Sequence, residues 1–288
     1  MSRSPSPLQA RPIVKWAGGK SKLLTELLPR VPTEIRTYAE PFAGGAALFF
    51  ALSSDAGRHF ARAVLADQNE ELVACYRAVK ADPQAVIGAL EGYRYDEDLF
   101  YEVRERSTAG MTDTQRAARF IFLNKTCFNG LWRVNSKGKF NVPFGRYDNP
   151  RITDTKGLLA ASKALALADL RVGDFAEATR GLGGGDFVYF DPPYDPASET
   201  SDFTAYARGG FSQTDQERLA NEMRRLRGAG ALVMLSNADT RKMRDLYFDF
   251  TVHSVKAPRS INSVPERRGL ARELLVTSWE PAKRKKRR

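Results

Sequence analysis

The sequence predicts an α/β protein built on a doubly wound, mostly parallel sheet. Short apolar runs that read as strands alternate with helical patterns, and polar or glycine-bearing turns follow the strand ends. One long stretch, 70–155, breaks the alternation and reads as an insertion, first helical and then loop-rich.

Taken in order, Arg36-Thr37-Tyr38-Ala39-Glu40 and Arg62-Ala63-Val64-Leu65-Ala66 read as strands, with a helix from Ala46 to Leu52 between them. Asp67-Gln68-Asn69-Glu70 opens the next helix, with Asp67 as the candidate N-cap. Beyond the insertion, Leu170-Arg171-Val172 and Asp186-Phe187-Val188-Tyr189-Phe190 read as strands. Thr214-Asp215-Gln216-Glu217 has capping-box spacing before an amphipathic helix that stops near Gly228. Ala231 to Leu235, Phe248 to Val255 and Arg272 to Trp279 close the series as strands.

A chain of 288 residues holds one large domain, or one domain with a sizeable insertion. No apolar stretch approaches the roughly 18 residues of a membrane span, and residues 1–10 lack a signal-peptide core and read as a disordered tail. Cys75 and Cys127 stand alone, so neither a disulfide framework nor a zinc site is indicated, and a reduced cytoplasmic protein is expected. His59 and His253 read as surface or packing residues. The net charge of +11 favours a polyanionic partner such as nucleic acid, although the terminal run Lys283 to Arg288 supplies six of those charges. That tail, 281–288, reads equally as a solubilising end.

Four constellations carry chemistry. Asp191-Pro192-Pro193-Tyr194 follows the strand ending at Phe190. An acid, two prolines without N–H donors and an aromatic ring form a polar shelf suited to a planar amine, where open α/β sheets bind ligands. Alone, the tetrapeptide reads equally as a proline turn. Glu40-Pro41-Phe42-Ala43-Gly44-Gly45-Ala46 couples a strand end to a glycine turn and a helix, and it lacks the third glycine of a pyrophosphate cradle. Asp67 lies 23 residues beyond Gly44, a spacing that places an acid on ribose hydroxyls. Turn and acid together suggest an adenosine-containing cofactor held without phosphate recognition. Lys15-Trp16-Ala17-Gly18-Gly19-Lys20 is not a Walker motif; Trp16 can stack and Lys20 can meet a carboxylate, or the segment is a surface turn.

The fourth is Arg119 to Arg151, with seven basic residues (Arg119, Lys125, Arg133, Lys137, Lys139, Arg146, Arg151) against one acid, Asp148. Phe120, Phe122, Phe128, Trp132, Phe140, Phe144 and Tyr147 interleave with them, Phe120 and Phe122 reading as core. Asn135-Ser136-Lys137-Gly138 reads as a hairpin turn. Cations grip phosphates and aromatics wedge between bases, so this stretch favours nucleic acid contact.

In this order and spacing, the chain resembles the DNA adenine methyltransferase (Dam-type) family. The shared pattern covers roughly residues 13 to 278. It runs through Lys15 to Lys20, Glu40 to Gly44, Ala66-Asp67-x-Asn69, Leu123-Asn124, Asn129-Gly130-Leu131 and Phe140 to Tyr147. It continues through Asp191 to Tyr194, Phe203 to Tyr206, Ser236-Asn237-x-Asp239 and Arg259-Ser260-Ile261.

The resemblance implies a Rossmann-like class I methyltransferase fold, with 11–69 and 156–280 forming the cofactor-binding catalytic domain and 70–155 the inserted target-recognition domain. It implies a site-specific, adenine-specific DNA methyltransferase that transfers methyl from S-adenosyl-L-methionine to N6 of a flipped adenine, within GATC, leaving S-adenosyl-L-homocysteine. Trp16, Lys20, Phe42, Gly44, Asp67 and Asp191 are the implied cofactor residues. Asp191, Pro192 and Tyr194 are the implied catalytic ones. Lys15, Phe128, Asn129, Leu131, Arg133, Pro143 and Tyr147 are implied to meet DNA. Double-stranded DNA is the implied partner of a monomeric, DNA-bound cytoplasmic protein that needs no metal, with or without a cognate restriction endonuclease. Trp132, Lys137, Lys139 and Ala238 depart from the family pattern and bear on the recognition sequence. The stretch from Asp195 to Gly210 reads as a lid. The alternatives are an N4-cytosine methyltransferase and a non-catalytic DNA-binding relative.

Overall fold

The apolar runs assemble into one seven-stranded sheet among the residues that the computed structural model describes, 9–53, 60–194, 211–258 and 270–281. The strands are β1 (Thr37–Glu40), β2 (Arg62–Asp67), β3 (Ala168–Val172), β4 (Phe187–Phe190), β5 (Leu232–Ala238), β6 (Thr251–Pro258) and β7 (Leu270–Thr277). Their order is β3-β2-β1-β4-β5-β7-β6. The first five are parallel, and β7 runs antiparallel between β5 and β6. The mostly parallel sheet expected from the sequence is therefore the one observed. Phe248 lies before β6 and is 78% exposed, so the last-but-one strand begins later than its sequence suggested.

Ten α-helices accompany the sheet among the described residues: α1 (Leu24–Leu27), α2 (Ala47–Leu52), α3 (Glu70–Ala81), α4 (Pro83–Glu91), α5 (Glu97–Glu105), α6 (Asp113–Thr126), α7 (Thr155–Leu165), α8 (Phe175–Ala178), α9 (Gln213–Gly228) and α10 (Arg241–Leu246). None is long and apolar enough to cross a membrane. Alternate strand residues feed two cores, as a pleated sheet covered on both faces requires. Tyr38, Leu65, Phe187, Tyr189, Met234 and Leu275 pack with side chains of α3 and α6. Ala39, Val64, Val188, Phe190, Leu235 and Leu274 pack with α9 and α10 on the other side. This is the doubly wound arrangement.

Two caps differ from their sequence readings. Asn69, not Asp67, caps α3 by accepting from the Leu72 amide at 3.0 Å, because Asp67 is still the last residue of β2. Helix α9 starts earlier than the Thr214 reading: Ser212 and Asp215 form its capping box, and Thr214 lies inside the first turn. Between β2 and β3 the chain passes through α3 to α7. Its irregular part after α6 carries two isolated antiparallel bridges, Cys127 to Phe144 and Val134 to Phe140, rather than a continuous hairpin ladder. The Asn135–Gly138 turn is present, with the Gly138 amide donating to the Asn135 carbonyl at 2.9 Å.

Candidate active site

Strand order reverses at β1 and β4: from β1 the chain winds outward through β2 and β3, and from β4 through β5. The carboxyl ends of β1 and β4 thus flank the crevice in which such sheets bind ligands. Glu40 to Gly44 leave β1 there, Asp191 to Tyr194 leave β4, and Asp67 ends the neighbouring β2.

The glycine turn is shaped by a ring. Gly44 has φ +47°, and a Cβ added to it would lie 2.6 Å from Trp16 Cδ1, so both backbone and space demand glycine. The Gly44 amide donates to Asp67 Oδ2 at 2.9 Å, its carbonyl accepts from Tyr76 Oη at 2.6 Å, and the Asn69 amide donates to Asp67 Oδ1 at 2.9 Å. Burial raises the Asp67 carboxyl above its ordinary range, against the pull of those amides. The Gln68 amide also acts on Asp67, and a carboxylate offers about four acceptor positions. Asp67 thus keeps acceptor capacity for a hydroxyl donor, and the residues present fit the ribose of an adenosine cofactor. Beneath the turn, Glu40 accepts from Tyr38 Oη at 2.9 Å and from the Phe49 amide at 3.3 Å. Burial pushes its carboxyl up to about 8.

Phe42 lies on the opposite face of the sheet, its ring stacked 5.5 Å from Phe175 and edge-on to Phe211 at 5.5 Å. Asp174, beside that cluster, caps α8 and accepts from Arg218 at 3.0 Å. A cavity of about 360 Å³ opens there, lined by Ala66, Arg171, Asp174 and Glu177 among others.

The shelf after β4 is clamped from several sides. Lys20, 7% exposed, places its Nζ 2.8 Å from Asp191 Oδ1, 2.5 Å from the Gly18 carbonyl and 4.6 Å from the centre of the Tyr194 ring. Ser236 Oγ donates to the same Asp191 oxygen at 3.0 Å and is linked to Tyr189 Oη at 2.8 Å. Burial raises the Asp191 carboxyl, and the Lys20 ammonium opposes that rise. Gln216 donates to the Pro193 carbonyl at 3.1 Å and accepts from Asn237 at 3.1 Å. Tyr194 Oη donates to Glu273 Oε2 at 2.7 Å.

The segment 15–20 carries Lys15 toward the loop after α6. Asn124, fully buried, accepts from the Lys15 amide at 2.8 Å and donates to its carbonyl at 2.8 Å. Lys15 Nζ lies 4.0 Å from the centre of the Tyr147 ring, and Tyr147 Oη donates to the Cys127 carbonyl at 2.7 Å. A Cβ on Gly130, at φ +62°, would strike the Lys15 side chain at 2.4 Å. The Phe128 amide donates to the Pro143 carbonyl at 2.9 Å, and Leu131 donates back to Phe128 at 3.2 Å. Arg133 donates to Asn141 Oδ1 at 2.8 Å. Phe128, Asn129 and Pro143 are exposed.

Not every member of the basic, aromatic stretch faces outward. Arg119 is buried and donates to the carbonyls of Val103 and Arg104, so it serves the helical packing rather than a phosphate. Trp132 packs between Phe120 at 3.9 Å and Phe140 at 4.6 Å, and Phe144 stacks on Tyr95 at 4.8 Å. Phe120 and Phe122 are core, as their sequence suggested. His253 is half-buried in β6, with Nε2 unpartnered among the described residues. Phe203 to Tyr206, Arg259 to Ile261, the lid reading at 195–210, His59, residues 1–8 and the basic run 283–288 lie outside the described residues.

Comparison with known proteins decides the family. Residues 16–261 match the profile of the D12 class N6 adenine-specific DNA methyltransferase. The chain belongs to that family. Similar relatives include the type II methyltransferase M1.LlaDCHI of Lactococcus lactis subsp. cremoris, 39% identical over 94% of this chain and 96% of its own. M.MjaIII of Methanocaldococcus jannaschii is 39% identical over 94% of this chain and all of its own, and the DNA adenine methylase of Salmonella typhimurium 35% identical over 92% and 94%. Among solved structures, the rRNA methyltransferase AviRa of Streptomyces viridochromogenes covers 96% of this chain and 93% of its own, with 15% identity and a TM-score of 0.40. Membership makes the chain an adenine-specific DNA methyltransferase with DNA as substrate, and it implies S-adenosylmethionine as methyl donor.

Proposed function

We propose that the protein methylates N6 of an adenine turned out of duplex DNA, within GATC, on the shelf formed by Asp191, Pro192 and Tyr194. The observation that carries this reading is the asymmetric clamp on Asp191: Lys20 and Ser236 both engage Oδ1, leaving Oδ2 without a partner among the described residues. An exocyclic amine conjugated with its ring is a weak nucleophile. Asp191 Oδ2 and the Pro192 carbonyl accept its two hydrogens, which favours a tetrahedral nitrogen and aims its lone pair. Tyr194 supplies the face against which the extruded base stacks. S-adenosylmethionine, when bound, supplies an electrophilic methyl group on a sulfonium. Asp67 accepts from its ribose, Trp16, Phe42 and Gly44 line its pocket, and the Lys20 ammonium favours the charged form of Asp191 against its burial.

Lys15, Phe128, Asn129, Leu131, Arg133, Pro143 and Tyr147 face the duplex. In this reading 70–155 is the recognition domain, and 11–69 with 156–280 is the catalytic domain. The protein works as a cytoplasmic monomer, with or without a partner restriction endonuclease. The test incubates purified protein with S-adenosylmethionine and unmethylated genomic DNA, followed by nucleoside mass spectrometry and modification-sensitive sequencing. N6-methyladenine at GATC is the expected product; the same mark at another sequence would move specificity to the loop, and N4-methylcytosine would overturn the substrate.

A further inference from the structure

Among the described residues, Glu273 meets the shelf from β7, beyond β5 in the sheet. Because β7 runs antiparallel, its beginning lies at the edge where the parallel strands end, with Glu273 paired to Ala238 of β5 and Val255 of β6. Strand alternation gives Glu273 the same face as Leu275, which shares a core with Tyr189. It is half-buried, and its carboxylate accepts from Tyr194 Oη at 2.7 Å. Lys20 Nζ stands 4.6 Å from the centre of the same Tyr194 ring. The ring is thus fixed at its edge by one charge and at its face by another.

We infer that Glu273 is a positioning residue of the methyl-transfer reaction, orienting the Tyr194 ring through its hydroxyl so that the target base meets a preset stacking face. The inference rests on the proposed role of Tyr194. A phenol donating to a carboxylate makes a short, directional bond, and a ring with two torsions is fixed once its tip and one face are held. A carboxylate that served only to balance the Lys20 charge would need its charge and not its acceptor geometry.

The experiment compares full-length Glu273→Gln, Glu273→Leu, Tyr194→Phe and the Glu273→Leu/Tyr194→Phe double variant, by single-turnover methylation of duplex DNA, with KM for S-adenosylmethionine and thermal melting measured alongside. Glu273→Leu and Tyr194→Phe each lower the single-turnover rate by about tenfold, the size expected for one charge-assisted hydrogen bond. The double variant falls no further, KM stays near the parental value, and Glu273→Gln, whose amide oxygen still accepts without the charge, falls only about threefold. Losses that multiply in the double variant, or Glu273→Gln as slow as Glu273→Leu, overturn the inference. So does coupling seen in melting temperature but not in rate, which would make the bond purely structural. These three outcomes leave adenine methylation standing. A parental protein that places no methyl on adenine overturns the proposed function instead, and this inference falls with it.

Discussion

The shelf after β4 and the loop after α6 are held in place by different physics. Side chains from four distant parts of the chain lock the shelf: Lys20, Ser236, Gln216 and Glu273 reach Asp191, Asp191, the Pro193 carbonyl and Tyr194 respectively. The loop rests on backbone bonds, on Tyr95 and Lys15 reaching Gly145 and Tyr147 from elsewhere in the chain, and on an inward wedge of Trp132 between Phe120 and Phe140, while Phe128, Asn129 and Pro143 are exposed. A group that must hold a reacting amine tolerates little displacement. A surface that meets a duplex needs reach, and its anchors can sit behind it. In the proposed function, rigidity is concentrated where bonds would change and exposure where sequence would be read.

The sharpest break in this comparison is Asp191→Ala. Single-turnover methylation falls by about a thousandfold or more, as for loss of a preorganised electrostatic group, and a residual rate within about tenfold of the parent would remove the shelf from the chemistry. Trp132→Ala tests the anchor of the loop. Losing a ring packed on both sides costs about 2–4 kcal/mol, read as a lower melting temperature. Unchanged melting with weakened DNA binding would instead turn that ring toward the duplex. Phe128→Ala is the converse: stability stays within about 0.5 kcal/mol, while affinity for duplex DNA, measured by fluorescence anisotropy, drops by about tenfold.

The smallest effect concerns Glu40, beneath the glycine turn. Its carboxyl is raised by burial from 4.5 to about 8, so the folded protein keeps a proton that the unfolded chain releases. Stability therefore falls as pH rises from the unfolded value through about 8, the folded one. Glu40→Gln removes that slope, an effect of about 1 kcal/mol between acid and mildly alkaline solution once relaxation is allowed for, measured by melting across pH. A variant with the parental slope would place the titration elsewhere.

Much of the fold was legible because its signals are local. Asp186 to Phe190 and Ala231 to Leu235 are short apolar runs between polar turns, and both became central strands. The caps slipped by two residues at Asn69 and Ser212, since several polar residues compete at each helix start. Asp67 and Asp191 were visible as acids at strand ends. Their holders were not. Ser236 and Asn237 stood in a motif without a role, Gln216 sat inside a supposed capping box, and Glu273 was an unremarked acid in a strand. Each acts across a separation that only the folded sheet closes, 45 residues for Ser236 and 79 for Glu273. Trp132 and Arg119 misled for a related reason: a basic, aromatic composition does not say which side chains turn inward.

Residues 15–20 touch three places at once. Lys15 lies on Tyr147 and is tied to Asn124, Trp16 covers Gly44, and Lys20 grips Asp191. In evolutionary terms this is a pleiotropic block. Under the proposed function, a change of target sequence that shifts Lys15 would also disturb the cofactor turn and the catalytic acid. The outward tips at Phe128 and Pro143 lie free of that linkage, so under the same reading a new side chain there would leave the chemistry undisturbed.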